Sequence, residues 1–273
     1  MLVFLKNLIV HQITSPIAIF TYSAAVVFVI LEHIRPAKTH PLSLLSFYSR
    51  FKRFSKHACL QIVNIILLPA IRFGALFYAT NIFGSKESNF GVLHTIIAIL
   101  ALDFALYASH VTMHKVKLFW SFHRVHHIDK FLDVSSAFRF HFLESGFALV
   151  VRVYISYLLS IPPQIMLAYL LLETGVLIFQ HSNVQLNNRM SKIIGYVFIT
   201  PHLHRIHHHH KLPYTDTNFG TMFSFWDRIF GTYNEQLSSE DTVIGLDSYN
   251  DQPFYRLLTL WVAGAEITKK PNK

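Results

Sequence analysis

The sequence predicts an all-α, multi-pass transmembrane helical bundle of four to five spans, with a histidine-rich helical cap on its cytoplasmic face. Three observations lead there. The 273 residues are 52% hydrophobic and only 14% charged, whereas soluble domains carry about a quarter charged residues. Apolar runs long enough to cross a bilayer alternate with proline, glycine and basic breaks. The chain's 18 histidines cluster just beyond such runs, as HVTMH at 110–114, HRVHH at 123–127 and HRIHHHH at 204–210.

Residues 1–14 hold one lysine, Lys6, and the main apolar run starts only near Pro16. That end therefore reads as a short interfacial helix or a frayed terminus, not a cleaved signal peptide. The first span, 16–34, stops at Pro36. A basic segment follows (Arg35, Lys38, Arg50, Lys52, Arg53, Lys56), then a second run over 58–80 made less regular by Asn64, Pro69 and Arg72. A polar turn with glycine at both ends covers 81–91. The third run, 92–109, continues without a break into His110 and His114. After RFHFLE (139–144) comes a fourth run, 146–161. Pro162 and Pro163 break it from a fifth, 165–180, which ends on His181; this reads as a helical hairpin. Beyond Asn183 the chain turns polar, with one short amphipathic stretch at 255–267. The division expected is an N-terminal membrane region (1–90), a histidine-bearing domain (91–233) and a soluble tail (234–273).

Counting crossings from the basic segment places residues 110–127 on that segment's side, and the Pro-Pro hairpin returns His181 and 204–208 there too. By the positive-inside rule that face is cytoplasmic. The net charge of +9 then belongs to the loops of a membrane protein; no nucleic-acid module accompanies it.

On a helix, His110 and His114 project from one face, as do His123, His126 and His127, and again His204, His207 and His208. Such clusters ask for metal, and for more than one ion. Cys59 is the only cysteine, so imidazole, carboxylate or water must hold it. HVTMH lacks the adjacent glutamate of a zinc-hydrolase HExxH motif. Eight or more imidazoles exceed the needs of one tetrahedral zinc, whereas two octahedral irons could use them all.

The series HxxxH, HxxHH, a lone histidine followed by Ser-Asn, and TPxxHxxHH resembles the fatty acid hydroxylase superfamily, in its sterol desaturase branch. RxHxxE (Arg139, His141, Glu144), FQHSNV (179–184), NFG…WDRIFGTY (218–233) and Glu32 with Arg35-Pro36 match as well, so the resemblance spans about residues 32–233. Phe142, Val111 and His209 depart from the branch's usual residues. The resemblance implies a membrane-bound, non-haem oxygenase with two iron ions, 91–233 being its catalytic domain. Such an enzyme hydroxylates or desaturates a lipid C–H bond with O2 and two electrons. Carried over by position, the ligands are His110, His114, His123, His126, His127, His181, His204, His207 and His208, with His141 behind the metal or facing substrate. The implied partners are a lipid substrate (fatty acyl, sterol or ether/amino lipid), the membrane, and a separate electron donor. Short loops favour a bacterial inner membrane over the endoplasmic reticulum.

Asp103 lies seven residues before His110, where it is expected to support a histidine on a neighbouring helix. Asn218 is expected to hydrogen-bond a ligand histidine, with turn stabilisation as the plainer reading. His202 divides between support of the metal site and a solvated loop. His11, His33, His40, His57 and His94 lack cluster partners and read as packed or interfacial, and His209 and His210 as extensions of the tract. For Glu173, Arg72 and Arg152 at membrane depth, an ion pair or snorkelling accounts for their place as well as catalysis does. Trp120, Trp226 and Phe225 read as interface anchors. Two other classes compete: a histidine-rich membrane metal transporter, disfavoured because the histidines gather beyond the span ends, and a zinc-dependent membrane hydrolase.

Overall fold

The computed structural model describes residues 14–37, 47–68, 91–238, 241–246 and 252–259. Among them it is mostly helical, with isolated β-bridges and no strands. The end before residue 14, the distal part of the second apolar run (69–80, with Pro69 and Arg72), the turn at 81–90, and His11 and His40 lie outside the described residues.

Helix α1 (Pro16–Ile34) is started by Ser15, whose hydroxyl accepts from Ala18 N at 3.2 Å, with proline in the first turn. It buries none of its residues within the protein. Helix α2 (Phe47–Leu67) corrects the expected boundary, because it begins eleven residues before the second apolar run and takes Lys52, Arg53 and Lys56 into a helix. It is amphipathic, and Leu60 packs with Trp120, Val125, Ile128, Leu246 and Leu257.

Helix α3 (Val92–Lys115) spans 24 residues, about 36 Å. At Val116 the backbone turns extended (φ −100°, ψ 119°), which ends α3 and starts α4 (Lys117–His127). Helix α5 (Phe142–Leu158) and helix α6 (Pro163–His181) form the hairpin around the Pro-Pro break. They pack on α3 through Leu102, Leu106, Ile161, Ile165 and Tyr169. Helix α1 lies along α6, with Phe28 and Phe179 at 5.7 Å. Short helices α7 (Asn188–Gly195) and α8 (Pro201–His207) follow, then α9 (Phe225–Ile229) and α10 (Phe254–Thr259).

Among the described residues, three helices, α1, α3 and α6, are long and apolar enough to cross a membrane. The fourth run forms α5, whose 17 residues reach about 26 Å, short of the roughly 30 Å of hydrocarbon.

Two partly buried polar clamps tie these helices to the histidine-bearing segments. Glu32, at the end of α1, accepts from Val134 N (3.2 Å) and Asn183 N (3.0 Å). Arg53 of α2 donates to both oxygens of Asp129 (3.0 and 2.7 Å), to Asp133 (2.5 Å), to Ser136 (2.9 Å) and to the Phe131 carbonyl (2.7 Å). The reading of Arg53 as part of a basic loop is thus corrected: it lies in α2 enclosed by the Asp129 and Asp133 carboxylates, and its guanidinium beside Asp129 outweighs burial and holds that carboxyl well below the usual carboxylate range.

Candidate metal centre

All nine histidines carried over from the family pattern converge, in two groups. His110, His114, His123, His127 and His207 form one; His126, His181, His204 and His208 form the other. Within each group the ligand atoms lie within 4.8 Å of one another. The break at Val116 folds α4 back so that His123 meets the histidines of α3. His123 Nε2 sits 3.1 Å from the Nε2 atoms of His110, His114 and His127. In the other group, His181 Nε2 lies 3.0 Å from His126 Nε2 and 2.9 Å from His204 Nε2, and His204 Nε2 is 3.1 Å from His208 Nε2.

Proton bookkeeping decides whether these contacts are hydrogen bonds. His126 Nδ1 bonds the Arg139 carbonyl (3.2 Å) and His181 Nδ1 the Leu177 carbonyl (2.7 Å). A carbonyl only accepts, so each ring carries its proton on Nδ1 and a lone pair on Nε2. Two lone pairs then face each other at 3.0 Å. A second proton would relieve the clash, but burial holds the pKa of His126 well below its ordinary value. The same holds for His127, His204, His207 and His208, and His123 is lowered to about 3. Neutral lone pairs converging in a buried space fit a cation. Donors about 2.1 Å from an ion and at right angles lie about 3.0 Å apart, against about 3.4 Å at a tetrahedral angle. The separations found match the former. His207 Nε2, buried and without a hydrogen-bond partner among the described residues, is a further donor of this kind.

Groups behind the rings fix their orientation. Glu144 Oε1 accepts from His123 Nδ1 at 2.7 Å, and Asp216 Oδ1 lies 3.3 Å from His114 Nδ1. His110 Nδ1 donates to the Phe219 carbonyl (2.8 Å) and His207 Nδ1 to the Thr217 carbonyl (2.7 Å). That loop is held by Asp227, which accepts from Phe219 N (2.7 Å), Gly220 N (2.8 Å) and the Thr232 hydroxyl (2.6 Å). Gly220 is required, since a Cβ there would meet the Phe223 carbonyl oxygen at 2.5 Å. The NFG and WD elements of the sequence thus act together. Arg205 of α8, fully enclosed and lowered to about 10 by burial, donates to the Ser182 carbonyl and to Asn183 just past His181.

The other singled-out residues take different places. Asp103 does not reach a histidine; it accepts from Trp226 Nε1 (2.9 Å) and Phe223 N (3.3 Å), so it anchors α9 instead. Asn218 sits in left-handed backbone (φ 54°) and joins the Leu203 carbonyl to Asn234. It stabilises the turn, and its neighbours' carbonyls reach the ligand rings. His141 caps α5, accepting from Leu143 N and donating to the Leu258 carbonyl. His202 is half-buried near Glu235 and belongs to neither group. Trp120 is buried and packs on His114 and His127 with ring centroids 5.1 and 5.4 Å apart, which corrects its reading as an interface anchor. Arg152 and Glu173 form an ion pair between α5 and α6.

A cavity of about 510 Å³ opens from the histidines between the apolar helices. Its lining includes His110, His123, His126, His181 and His204 together with Ile65, Leu106, Leu149 and Leu170 of the surrounding helices.

The fatty acid hydroxylase family model matches residues 95–232, half of the chain. An ornithine lipid hydroxylase of Rhizobium tropici is 30% identical over 151 residues, 55% of this chain and 45% of that protein. An alkylglycerol monooxygenase of Caenorhabditis elegans is 27% identical over 170 residues, 61% of this chain and 32% of that protein. The human alkylglycerol monooxygenase is 29% identical over 155 residues, 55% and 32% respectively. The chain therefore matches about a third to just under a half of the length of these relatives. No solved structure matches it. The chain belongs to the fatty acid hydroxylase family.

Proposed function

We propose that this protein is a membrane-bound oxygenase that holds two iron ions on the nine histidines and hydroxylates a C–H bond of a lipid. It uses O2 and two electrons from a separate donor; one oxygen atom enters the lipid and the other leaves as water. The observation that carries the reading is the pair of buried groups of converging imidazole lone pairs, opening into a cavity that runs between apolar helices. The names of the relatives, a lipid hydroxylase and an alkylglycerol monooxygenase, support it.

When bound, the ions would supply the oxygen activation that no side chain provides. The protein's part is positional. Nδ1 bonds aim His110, His123, His126, His181 and His207 before metal arrives, and the carboxylates of Glu144 and Asp216 beside His123 and His114 increase the basicity of those rings. Burial keeps the donors neutral and excludes water from the reacting carbon. The apolar cavity aligns the lipid with its C–H bond beside the histidines. Residues 91–233 form the catalytic domain of a bundle with four to five spans. The histidine-rich cap faces the cytoplasm, and a bacterial inner membrane is favoured.

The test is metal analysis of the purified protein together with lipid profiles of a host with and without the gene. About two irons per chain and an O2- and reductant-dependent gain of one oxygen on a lipid are expected. Loss of two hydrogens would instead make it a desaturase. One zinc per chain, or metal flux into vesicles without lipid oxidation, would overturn the reading in favour of a hydrolase or a transporter.

A further inference from the structure

We infer that the short helices α7 and α9, with the residues that end them, Tyr196 and Phe230, are seated in the membrane and present their outer face to the acyl chains of one leaflet. The inference rests on the reading of α3 as a membrane-crossing helix. Beyond Asn183 the chain is polar, yet Ile193, Tyr196, Ile229 and Phe230 are 53–68% exposed. Single apolar residues on a surface need no explanation, but a joined set marks a protein or membrane contact. These are joined. The Ser224 hydroxyl and Arg228 both donate to the Gly195 carbonyl (2.7 and 3.0 Å), which fixes the end of α7 to α9. Arg228 also lies over the Tyr196 ring, 5.4 Å from its centroid. Phe230 and Trp226 pack on Phe104 of α3, with ring centroids 5.7 and 5.1 Å apart.

Phe104 decides what covers this face. On α3, Leu93, Ile97 and Phe104 are exposed and fall on one stripe, at i, i+4 and i+11. In a membrane-crossing helix such a stripe faces lipid, and the surface of α9 continues it. The position of α9 along α3 is fixed, because Trp226 Nε1 donates to the buried Asp103 at 2.9 Å. Asp103 and Phe104 precede Ser109, where the apolar run ends, by six and five residues, which is about 7.5–9 Å along the helix. Interfacial helices seat their apolar faces about 5–10 Å deep. At that depth the exposed face of α9, and of the α7 end bound to it, meets acyl chains and not water. Arg189 and Lys192 of α7 are exposed beside Met190 and Ile193, where basic side chains reach lipid headgroups. The two helices therefore belong to the membrane-seated part of the protein and not to a wholly aqueous cap.

The test uses the full chain in nanodiscs of phosphatidylethanolamine and phosphatidylglycerol. Cys59→Ala removes the native thiol, and Ile193→Cys, Phe230→Cys, Ile97→Cys and Gln236→Cys each carry one environment-sensitive fluorophore. Labels at 193 and 230 should lose emission to lipids brominated on the upper acyl carbons and be spared by iodide in the water, as at position 97 of α3. The label at 236, on an exposed loop residue, should show the reverse. Iodide quenching at 193 and 230 with 97 shielded would overturn the inference and leave the membrane-crossing reading standing. Quenching of 193 and 230 by neither reagent would show that a protein partner or a second copy covers them, and would overturn it too. Iodide quenching at 97 would overturn the membrane-crossing reading of α3 and the inference with it.

Discussion

The two histidine groups are built in different ways. Four of the five histidines of the larger group lie between residues 110 and 127, on two helices separated by one extended residue, Val116. Only His207 comes from afar. The smaller group takes His126, His181, His204 and His208 from α4, α6 and the end of α8. Its existence depends on long-range clamps such as Arg205 to Ser182 and Glu32 to Asn183. Their backing differs as well. Carboxylates, Glu144 and Asp216, stand behind the larger group, whereas His126 and His181 lean on backbone carbonyls. A mostly local site backed by charge is expected to hold metal more robustly than one assembled from distant segments.

The largest effect should come from removing ligands of the smaller group. His181→Ala and His126→Ala should each lower bound metal to about half and abolish lipid oxidation, measured as metal per chain and product mass. A His181→Ala protein with full metal and activity would sink the nine-histidine assignment. Next, Arg53→Met should leave Asp129 and Asp133 without their cation and cost about 3–5 kcal/mol, read as a lowered Tm. Because His126 leans on Arg139 in that region, metal should leave the smaller group first. Glu144→Gln should weaken metal binding about 10–100-fold in the larger group alone; equal loss from both would erase the distinction drawn here.

The smallest effect concerns His57, buried between Ser135, Arg139 and Asp129 and lowered to about 3 by burial. It stays neutral in the fold, while the unfolded chain binds a proton below about 6.5. Its contribution is complete above that value and falls as pH drops towards 3. His57→Gln should therefore cost about 2 kcal/mol less at pH 5 than at pH 7, measured by paired melting curves. A pH-independent difference would show that His57 is not held neutral.

Much of the site was legible because helical ligand spacing is a local property: HxxxH and HxxHH place rings on one face whatever surrounds them. The WD and NFG elements were visible as matches, but their purpose was not. Asp227 supports a loop whose useful atoms are the carbonyls of Thr217 and Phe219, and every residue carries a carbonyl. Asp103 was singled out by its depth and its spacing from His110, yet the packing of α9 turned it to Trp226. Arg53 was counted among loop charges, because nothing local reveals that two aspartates nearly eighty residues later enclose it.

By itself the sequence determined the class of chain, the apolar helices, and which residue type gathers into clusters able to hold a metal. These follow from composition and from the 3.6-residue period. Only the tertiary structure decided that nine imidazoles divide into five and four, and which carbonyl or carboxylate aims His110, His123, His126, His181 and His207. The physical reason is that lone pairs, orphaned acceptors and buried charges are defined by what lies opposite them. In this fold, what lies opposite arrives from helices far apart in the chain.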